Sequence, residues 1–235
     1  MIKLEKSEVM GWEHVIRGMR NPLNSWKKSD SYFWVTDSGL NEAWGINATL
    51  EDRVTGISVH VGDNDYDLMT RLRNAGTDHR KFMRMITVYV DITAPLYWWK
   101  EFDTYKVGTV ANSCSTMHKI QAKEFKTDDF SHEHLINSLS NGMYKDQLLL
   151  TIGCLNYARK LFLETKDKKY WWQMIQLLPS SYNQKRTVML NYEVLANMYK
   201  SRKNHKLDEW HVFCDWIKSL PYSELITGEK ETSDE

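Results

Sequence analysis

The side chains best suited to chemistry lie between Leu178 and Arg202, where Asn191, Asn197 and Arg202 are set among apolar residues. The stretch reads as a helix. Asn191 and Arg202 are eleven residues apart, about three turns at 3.6 residues per turn, so they share a face with Leu195 and Met198. That face spans roughly 16 Å at 1.5 Å per residue, the scale of a mononucleotide or half a dinucleotide. A carboxamide at one end and a guanidinium at the other suit a phosphate-bearing ligand, because the guanidinium presents paired donors to phosphate or carbonyl oxygens. A surface helix with solvated polar residues accounts for the same spacing without a ligand.

A second group follows Gly108. Ser113, Ser115 and the amides of this turn could form a phosphate cup at a helix N-terminus, with Lys106 and Lys119 as nearby cations. Plain helix capping explains the serines equally well. His79 sits among Arg71, Arg73, Arg80, Lys81 and Arg84, a dense set of cations. His132, Glu133 and His134 resemble a metal cluster, but neighbours on a helix point to different faces and the i, i+4 spacing of a zinc helix is absent, so no metal site is assigned. Asp63, Asp65 and Asp67 alternate like the start of a calcium loop. Leu68 stands where that loop needs glycine and Asn74 where it needs a bidentate glutamate, so a helix start in a surface loop is the better reading. No serine triad, phosphate-binding glycine loop or dinucleotide fingerprint is present.

The elements that must position these residues follow from periodicity. Trp12, Val15, Ile16 and Met19 recur at helical spacing, which predicts a helix over residues 7–20, ended by Pro22. Residues 32–47 read as irregular. Residues 54–61 alternate like a half-buried strand, and residues 65–74 read as a helix stopped by Gly76. The strongest strand signal is residues 82–93, with Val88, Val90 and Ile92 on one side and Thr87, Tyr89 and Asp91 on the other. Ala94-Pro95 closes it, and Pro95 suits the first turn of a helix running to about residue 106. Helices are then predicted over residues 131–140, 145–165, 169–178, 182–201 and 207–218. The fold class is therefore α+β: a small, mainly antiparallel sheet flanked by helices, with a helical C-terminal half. Residues 1–227 form one domain, and residues 228–235 are expected to be a disordered acidic tail.

Composition narrows the function classes. Among 235 residues, Lys+Arg and Asp+Glu are 31 each, so the formal charge is zero and a polymeric nucleic-acid partner is not expected. Weak self-repulsion suits an oligomer. The three cysteines, Cys114, Cys154 and Cys214, have no zinc or disulfide spacing, which points to a reducing, cytoplasmic setting. The N-terminal residues carry no apolar signal core, and no run approaches the ~18 apolar residues of a membrane span. The ten tryptophans are expected to fill the core or subunit contacts, Trp98-Trp99 and Trp171-Trp172 among them.

Several of these residues together resemble the flavin-dependent thymidylate synthases. Pro179, Asn191, Leu195, Asn197 and Arg202 match that family's late segment without a gap, and His79, the strand from Phe82 and Ala94-Pro95 match an upstream segment at the same separations. The family then has Arg-His-Arg followed by Ser-x-Asn-Glu-x-Ser-x-Arg-Tyr. With one residue inserted, Asn112 and Ser115 match its Asn and second Ser. The rest departs: Tyr105-Lys106-Val107 (Thr104-Tyr105-Lys106 without the insertion) stands at Arg-His-Arg, Ser113 at the Glu, Met117-His118 at Arg-Tyr, and Glu193 replaces an Arg on the late helix. The resemblance covers roughly residues 64–118 and 178–215, with a weaker match of the first helix.

The resemblance implies a homotetramer with FAD and a deoxyuridylate-type pyrimidine nucleotide bound where subunits meet. His79, Asn191, Asn197 and Lys106 would hold the flavin. Asn112, Ser113, Ser115 and Arg202 would hold the nucleotide, Arg202 also stabilising charge as C5 is activated. The implied chemistry is transfer of a one-carbon unit from methylenetetrahydrofolate to C5, with NADPH reducing the flavin. The alternative is a non-catalytic nucleotide-binding protein, for instance a phage-type nucleotide-sequestering one, that keeps the fold and has lost flavin chemistry.

Overall fold

The structure, a computed structural model, describes residues 2–37, 55–136 and 143–229. In chain order the elements are β1 (Lys3–Met10), α1 (Trp12–Arg20), β2 (Tyr32–Asp37), β3 (Thr55–His60), α2 (Asp63–Asn74), β4 (Thr87–Pro95), α3 (Leu96–Phe102), β5 (Val110–Ser113) and α4 (Thr116–Lys119). The second half holds α5 (Met143–Thr165), α6 (Lys168–Leu177), β6 (Asn183–Asn191), α7 (Tyr192–Arg202), α8 (Asp208–Lys218) and α9 (Glu224–Thr227). An α+β fold is what the sequence pattern calls for. Its centre is a four-stranded antiparallel sheet in the order β1-β4-β6-β5; β2 and β3 pair separately.

β4 keeps the alternation read from its sequence. Val88, Val90 and Ile92 are all buried on one face, and Tyr89 is exposed on the other. The buried face packs with Val188 and Leu190 of β6 against α1, α3, α7 and α8, and the centre is aromatic: Trp98, Trp99, Phe102, Trp210 and Phe213 form edge and tilted ring contacts. Trp172, by contrast, is exposed. A smaller cluster joins α5 and α6 to Ile120, Phe125 and Phe130.

Six expectations need correction. Residues 3–10 are a strand, so the first helix begins at Trp12; its predicted apolar positions are buried as expected. The turn between β1 and α1 needs glycine: Gly11 has φ 98°, and a Cβ there would lie 2.3 Å from the Met85 carbonyl oxygen. Residues 32–37 are a strand rather than irregular chain, while 38–47 lie outside the described residues. Residues 80–85 form a 3-10 turn, and the strand proper begins at Thr87 and includes Pro95, which precedes α3; that helix ends at Phe102 and a 3-10 turn continues to Tyr105. Residues 131–136 are not helical, and residues 137–140 lie outside the described set.

The fifth correction matters most. Residues 183–191 are a strand, not the first half of a helix. Their Gln, Lys, Arg, Met and Leu favour helix locally, but β4 pairs with them along one side and β5 along the other. Sheet hydrogen bonds on both edges override that weak preference.

Asp65 is also misplaced by the surface-loop reading, because it is fully buried. It accepts from Arg20 Nε at 2.5 Å and from the hydroxyls of Ser29 and Ser31 at 2.6 and 2.7 Å. Burial alone would raise its carboxyl; the two hydroxyls and the Arg20 guanidinium outweigh that and hold it below the usual carboxylate range. It is a structural tie between α1, α2 and the chain before β2. Of the expected tail, Gly228 and Glu229 are described, and Glu229 accepts from Tyr199 Oη at 3.1 Å and Lys203 Nζ at 3.2 Å; residues 230–235 lie outside the described set.

Candidate functional site

Of the three polar residues that opened the sequence reading, Asn191 and Arg202 mark the two ends of α7 and Asn197 lies within it, so they do not share one long helix. Asn191 is the last residue of β6 and the N-cap of α7, with its Oδ1 accepting from the Val194 amide at 3.0 Å. Its Nδ2 donates to the Gly108 carbonyl oxygen at 3.3 Å. Gly108 has φ 85°, and a Cβ there would sit 3.0 Å from that same Nδ2. Glycine therefore permits both the left-handed turn and the close approach that couples α7 to the edge strand β5.

Arg202 closes the other end of α7. Its Nη1 pairs with Glu101 Oε2 at 2.7 Å, and its Nε donates to Tyr105 Oη at 3.0 Å. The guanidinium lies over the rings of Trp210 and Tyr105, 4.8 and 5.6 Å from their centroids. Glu101 Oε2 also accepts from Trp210 Nε1 at 3.1 Å and meets His205 Nε2 at 3.2 Å. His205 Nδ1 accepts from the Leu207 amide at 3.2 Å, which leaves its proton on Nε2, facing the carboxylate. Three donors thus converge on one oxygen within an aromatic wall. Both ends of α7 contact the segment 101–108, Asn191 through Gly108 and Arg202 through Glu101 and Tyr105.

Asn197 faces elsewhere. Its Oδ1 accepts from Arg80 Nη2 at 3.4 Å, beside the sequence-adjacent, exposed His79. Arg80 Nε reaches Glu193 Oε1 at 3.4 Å, Arg84 Nη2 reaches the same oxygen at 3.3 Å, and Arg84 Nε pairs closely with Oε2. Burial alone would raise the Glu193 carboxyl; Arg84 first and Arg80 second outweigh it and hold it below the usual carboxylate range. Asp78 also acts on Arg84 and Arg73 on Arg80, so three guanidiniums face two carboxylates and the patch keeps a net positive charge. Arg84 is 58% exposed, so its outer edge is open to an anion.

The residues after Gly108 form a third place. Lys106 is exposed, and Asn112 and Ser113 lie on the edge strand β5, opposite Thr187 and Arg186. Ser115 caps α4, accepting from the His118 amide at 3.0 Å, so capping describes what its hydroxyl does. Cys114 between them lines a cavity of about 440 Å³ together with Lys3, Lys123, Tyr182, Asn183 and Lys185. That volume lies within the range of small-molecule sites.

The structure therefore joins Asn191 and Arg202 through segment 101–108, joins Asn197 to the residue after His79, and sets the Ser113–Ser115 turn on the far end of β5. Glu101, His205 and Trp210 were missed in sequence, since Arg202 gave no hint of a carboxylate partner 101 positions earlier. His132, Glu133 and His134 do not converge: His132 Nδ1 contacts the Phe130 carbonyl at 2.8 Å while His134 Nε2 meets Asp208 at 3.1 Å. Among the described residues no cluster of three or more His, Cys, Asp or Glu could hold a metal, and no helix is long and apolar enough to cross a membrane.

With this architecture, the chain superposes on thymidylate synthase X of Helicobacter pylori, solved with FAD and dUMP, at a TM-score of 0.64 over 97% of this chain and 98% of that one, with 15% identity. The protein has the fold of the flavin-dependent thymidylate synthases. A UMP/dUMP methylase, PolB of Streptomyces cacaoi, bound with 5-Br UMP, matches at a TM-score of 0.52, with 14% identity over 85% of this chain and 95% of that one. No protein-family model and no curated protein matches the sequence.

Proposed function

We propose that this protein binds a deoxyuridylate-type pyrimidine nucleotide along α7 and segment 101–115, and that with FAD it transfers a one-carbon unit to C5 of the base. The observation that supports this reading is the double tie of α7: a carboxamide and a guanidinium, set at its two ends, both engage segment 101–108. That pairing gives a polar edge of roughly 16 Å, the length of the helix at 1.5 Å per residue. The two solved neighbours, one holding dUMP and the other 5-Br UMP, agree in ligand class.

The geometry supports the following roles. Arg202, held by Glu101 through Nη1, by Tyr105 through Nε and by the Trp210 ring, has Nη2 left to donate to a uracil carbonyl or a phosphate. Asn191 sets the distance between α7 and the turn at Gly108. Asn112, Ser113 and Ser115 supply hydroxyl and amide groups beside the cavity at Cys114. The net-positive patch of Arg80, Arg84, His79 and Asn197 fits a diphosphate-bearing cofactor such as FAD, with Lys106 as a further exposed cation. Bound there, a flavin supplies hydride, with NADPH as reductant and methylenetetrahydrofolate as carbon donor. The protein acts as a homo-oligomer in this reading, with sites completed at subunit contacts.

One observation favours a second reading. Glu101 and Glu193 each occupy guanidiniums that the enzyme reading gives to ligands, which suits a nucleotide-binding protein without flavin chemistry. Tritium release from C5-labelled dUMP, with FAD, NADPH and methylenetetrahydrofolate supplied, separates the two. Release, with flavin absorbance near stoichiometric occupancy, supports the enzyme. Tight dUMP binding by a colourless protein without release supports the binding protein, and no dUMP binding overturns both.

A further inference from the structure

Four residues stand in one row across an end of the central sheet. Lys3 of β1 lies opposite Thr93 of β4, and Thr93 opposite Lys185 of β6. Just beyond β5, the Cys114 amide donates to the Lys185 carbonyl oxygen at 2.9 Å. Residues paired across antiparallel strands share a face, so the row forms one wall of the cavity of about 440 Å³. The chain from Lys123 to Glu133 supplies more of the lining, together with Tyr182 and Asn183.

The charges on this lining balance. Lys3, Lys123 and Lys185 are offset by Asp128, Asp129 and Glu133. Lys123 pairs with Asp129, and Lys185 meets Asp91 at 3.0 Å and Glu5 at 3.7 Å. Lys3 and Asp128 are both exposed, and neither has a side-chain partner among the described residues. One cation and one anion are thus left for a ligand. A phosphate would meet Asp128 and Glu133 as like charges, with two of the three lysines already neutralised. A ligand carrying both a carboxylate and an ammonium is matched at each end.

Neutral groups complete the match. Asn183 Oδ1 accepts from Ser131 Oγ at 2.9 Å, which leaves its Nδ2 hydrogens as donors for a carboxylate. Phe130 and Tyr182, edge to face with centroids 5.6 Å apart, offer an apolar surface to the remainder of the ligand.

We propose that this cavity binds a small zwitterion of amino-acid type, its carboxylate toward Lys3 and its ammonium toward Asp128. The proposal goes beyond the nucleotide reading, which assigns no role to Lys3, Asp128 or Asn183. Cys114 reports occupancy, since it is an exposed thiol on the cavity wall. Cys154, exposed on α5 among Leu149, Leu150 and Tyr157, is the internal control. Cys214 is buried, with its thiol pushed up to about 11 by that burial, so it stays unalkylated while the fold is intact.

The experiment is alkylation of the full chain by iodoacetamide, read at each cysteine by peptide mass spectrometry. Millimolar L-phenylalanine is expected to slow Cys114 about threefold or more and to leave Cys154 unchanged. Hydrocinnamate, which lacks the ammonium, and phenethylamine, which lacks the carboxylate, should each need about threefold or more higher concentration for equal protection. Asp128→Asn is expected to erase the advantage of L-phenylalanine over hydrocinnamate, and Lys3→Met its advantage over phenethylamine. Continued protection of Cys214 in both variants excludes misfolding as the cause. No protection by L-phenylalanine, equal protection by all three compounds, or preferences that survive both substitutions would overturn the proposal.

Discussion

The two sides of α7 use the same pairing, guanidinium with carboxylate, to opposite ends. At its C-terminal end Arg202 is 17% exposed, held by Glu101 and walled by the Tyr105 and Trp210 rings. Near its N-terminal end Arg84 is 58% exposed and shares with Arg80 the carboxylate of Glu193, which is itself buried. Burial separates them. The walled Arg202 guanidinium is fixed in direction, because removing either partner strands a poorly solvated charge, whereas the Arg84 guanidinium meets solvent although the carboxylate it pairs with is buried. In the proposed reading the first orients a ligand and the second attracts one.

The largest expected effect is at the walled corner. Arg202→Ala leaves Glu101 without its main partner and removes the stem packed on Trp210. A loss of about 2–4 kcal/mol is expected, discounted from a fully buried pair because Glu101 is 34% exposed. Urea unfolding would read it, and a loss indistinguishable from that of an open surface pair would erase the contrast. Next comes Gly108→Ala, which forces a side chain into a left-handed φ and against Asn191 Nδ2. It is expected to cost about 1–2 kcal/mol in the same assay. Glu101→Gln keeps an acceptor for Trp210 and removes the anion, for a cost of about 1–2 kcal/mol, yet it should tighten dUMP binding by freeing the Arg202 charge. Unchanged or weaker binding by calorimetry would mean that Glu101 does not compete with the nucleotide.

The open pair gives the smallest effects. Because Arg80 still faces the buried Glu193, Arg84→Ala is expected to lower the unfolding midpoint by less than Arg202→Ala while weakening FAD binding, measured by fluorescence quenching. The Glu193 carboxyl is depressed in the fold, so its stabilising contribution is present above the unfolded value of about 4.3 and is lost as pH falls through the lower folded value. Below about pH 4, Glu193→Gln should therefore flatten part of the acid decline in stability. An acid limb identical to that of the unaltered protein would remove Glu193 from the titration.

How much of this was legible in the sequence depended on whether the deciding partners were near in the chain. Val88, Val90 and Ile92 could be placed because alternation alone separates a buried from a solvated face. Trp12, Val15, Ile16 and Met19 could be placed for the same reason at helical period. Residues 183–191 could not, because Arg186 faces inward only by lying 4.1 Å over the Trp99 ring and bonding Asp103 at 2.8 Å. Those partners are more than eighty positions away. Arg202 was singled out, but the group that pairs with it was not, since nothing near it in sequence marks Glu101. Asn197 was assigned by the resemblance together with His79, Asn191 and Lys106; it bonds Arg80, the residue after His79, whereas Asn191 bonds Gly108.

The most direct test of the nucleotide reading is calorimetric titration of dUMP into the unaltered protein, Arg202→Lys and Arg84→Ala. Lysine keeps the charge and loses the paired donors. If Arg202 orients the nucleotide, Arg202→Lys weakens binding by about tenfold or more while Arg84→Ala leaves it within about twofold. Equal affinities for the unaltered protein and Arg202→Lys, or a greater loss from Arg84→Ala, would contradict it.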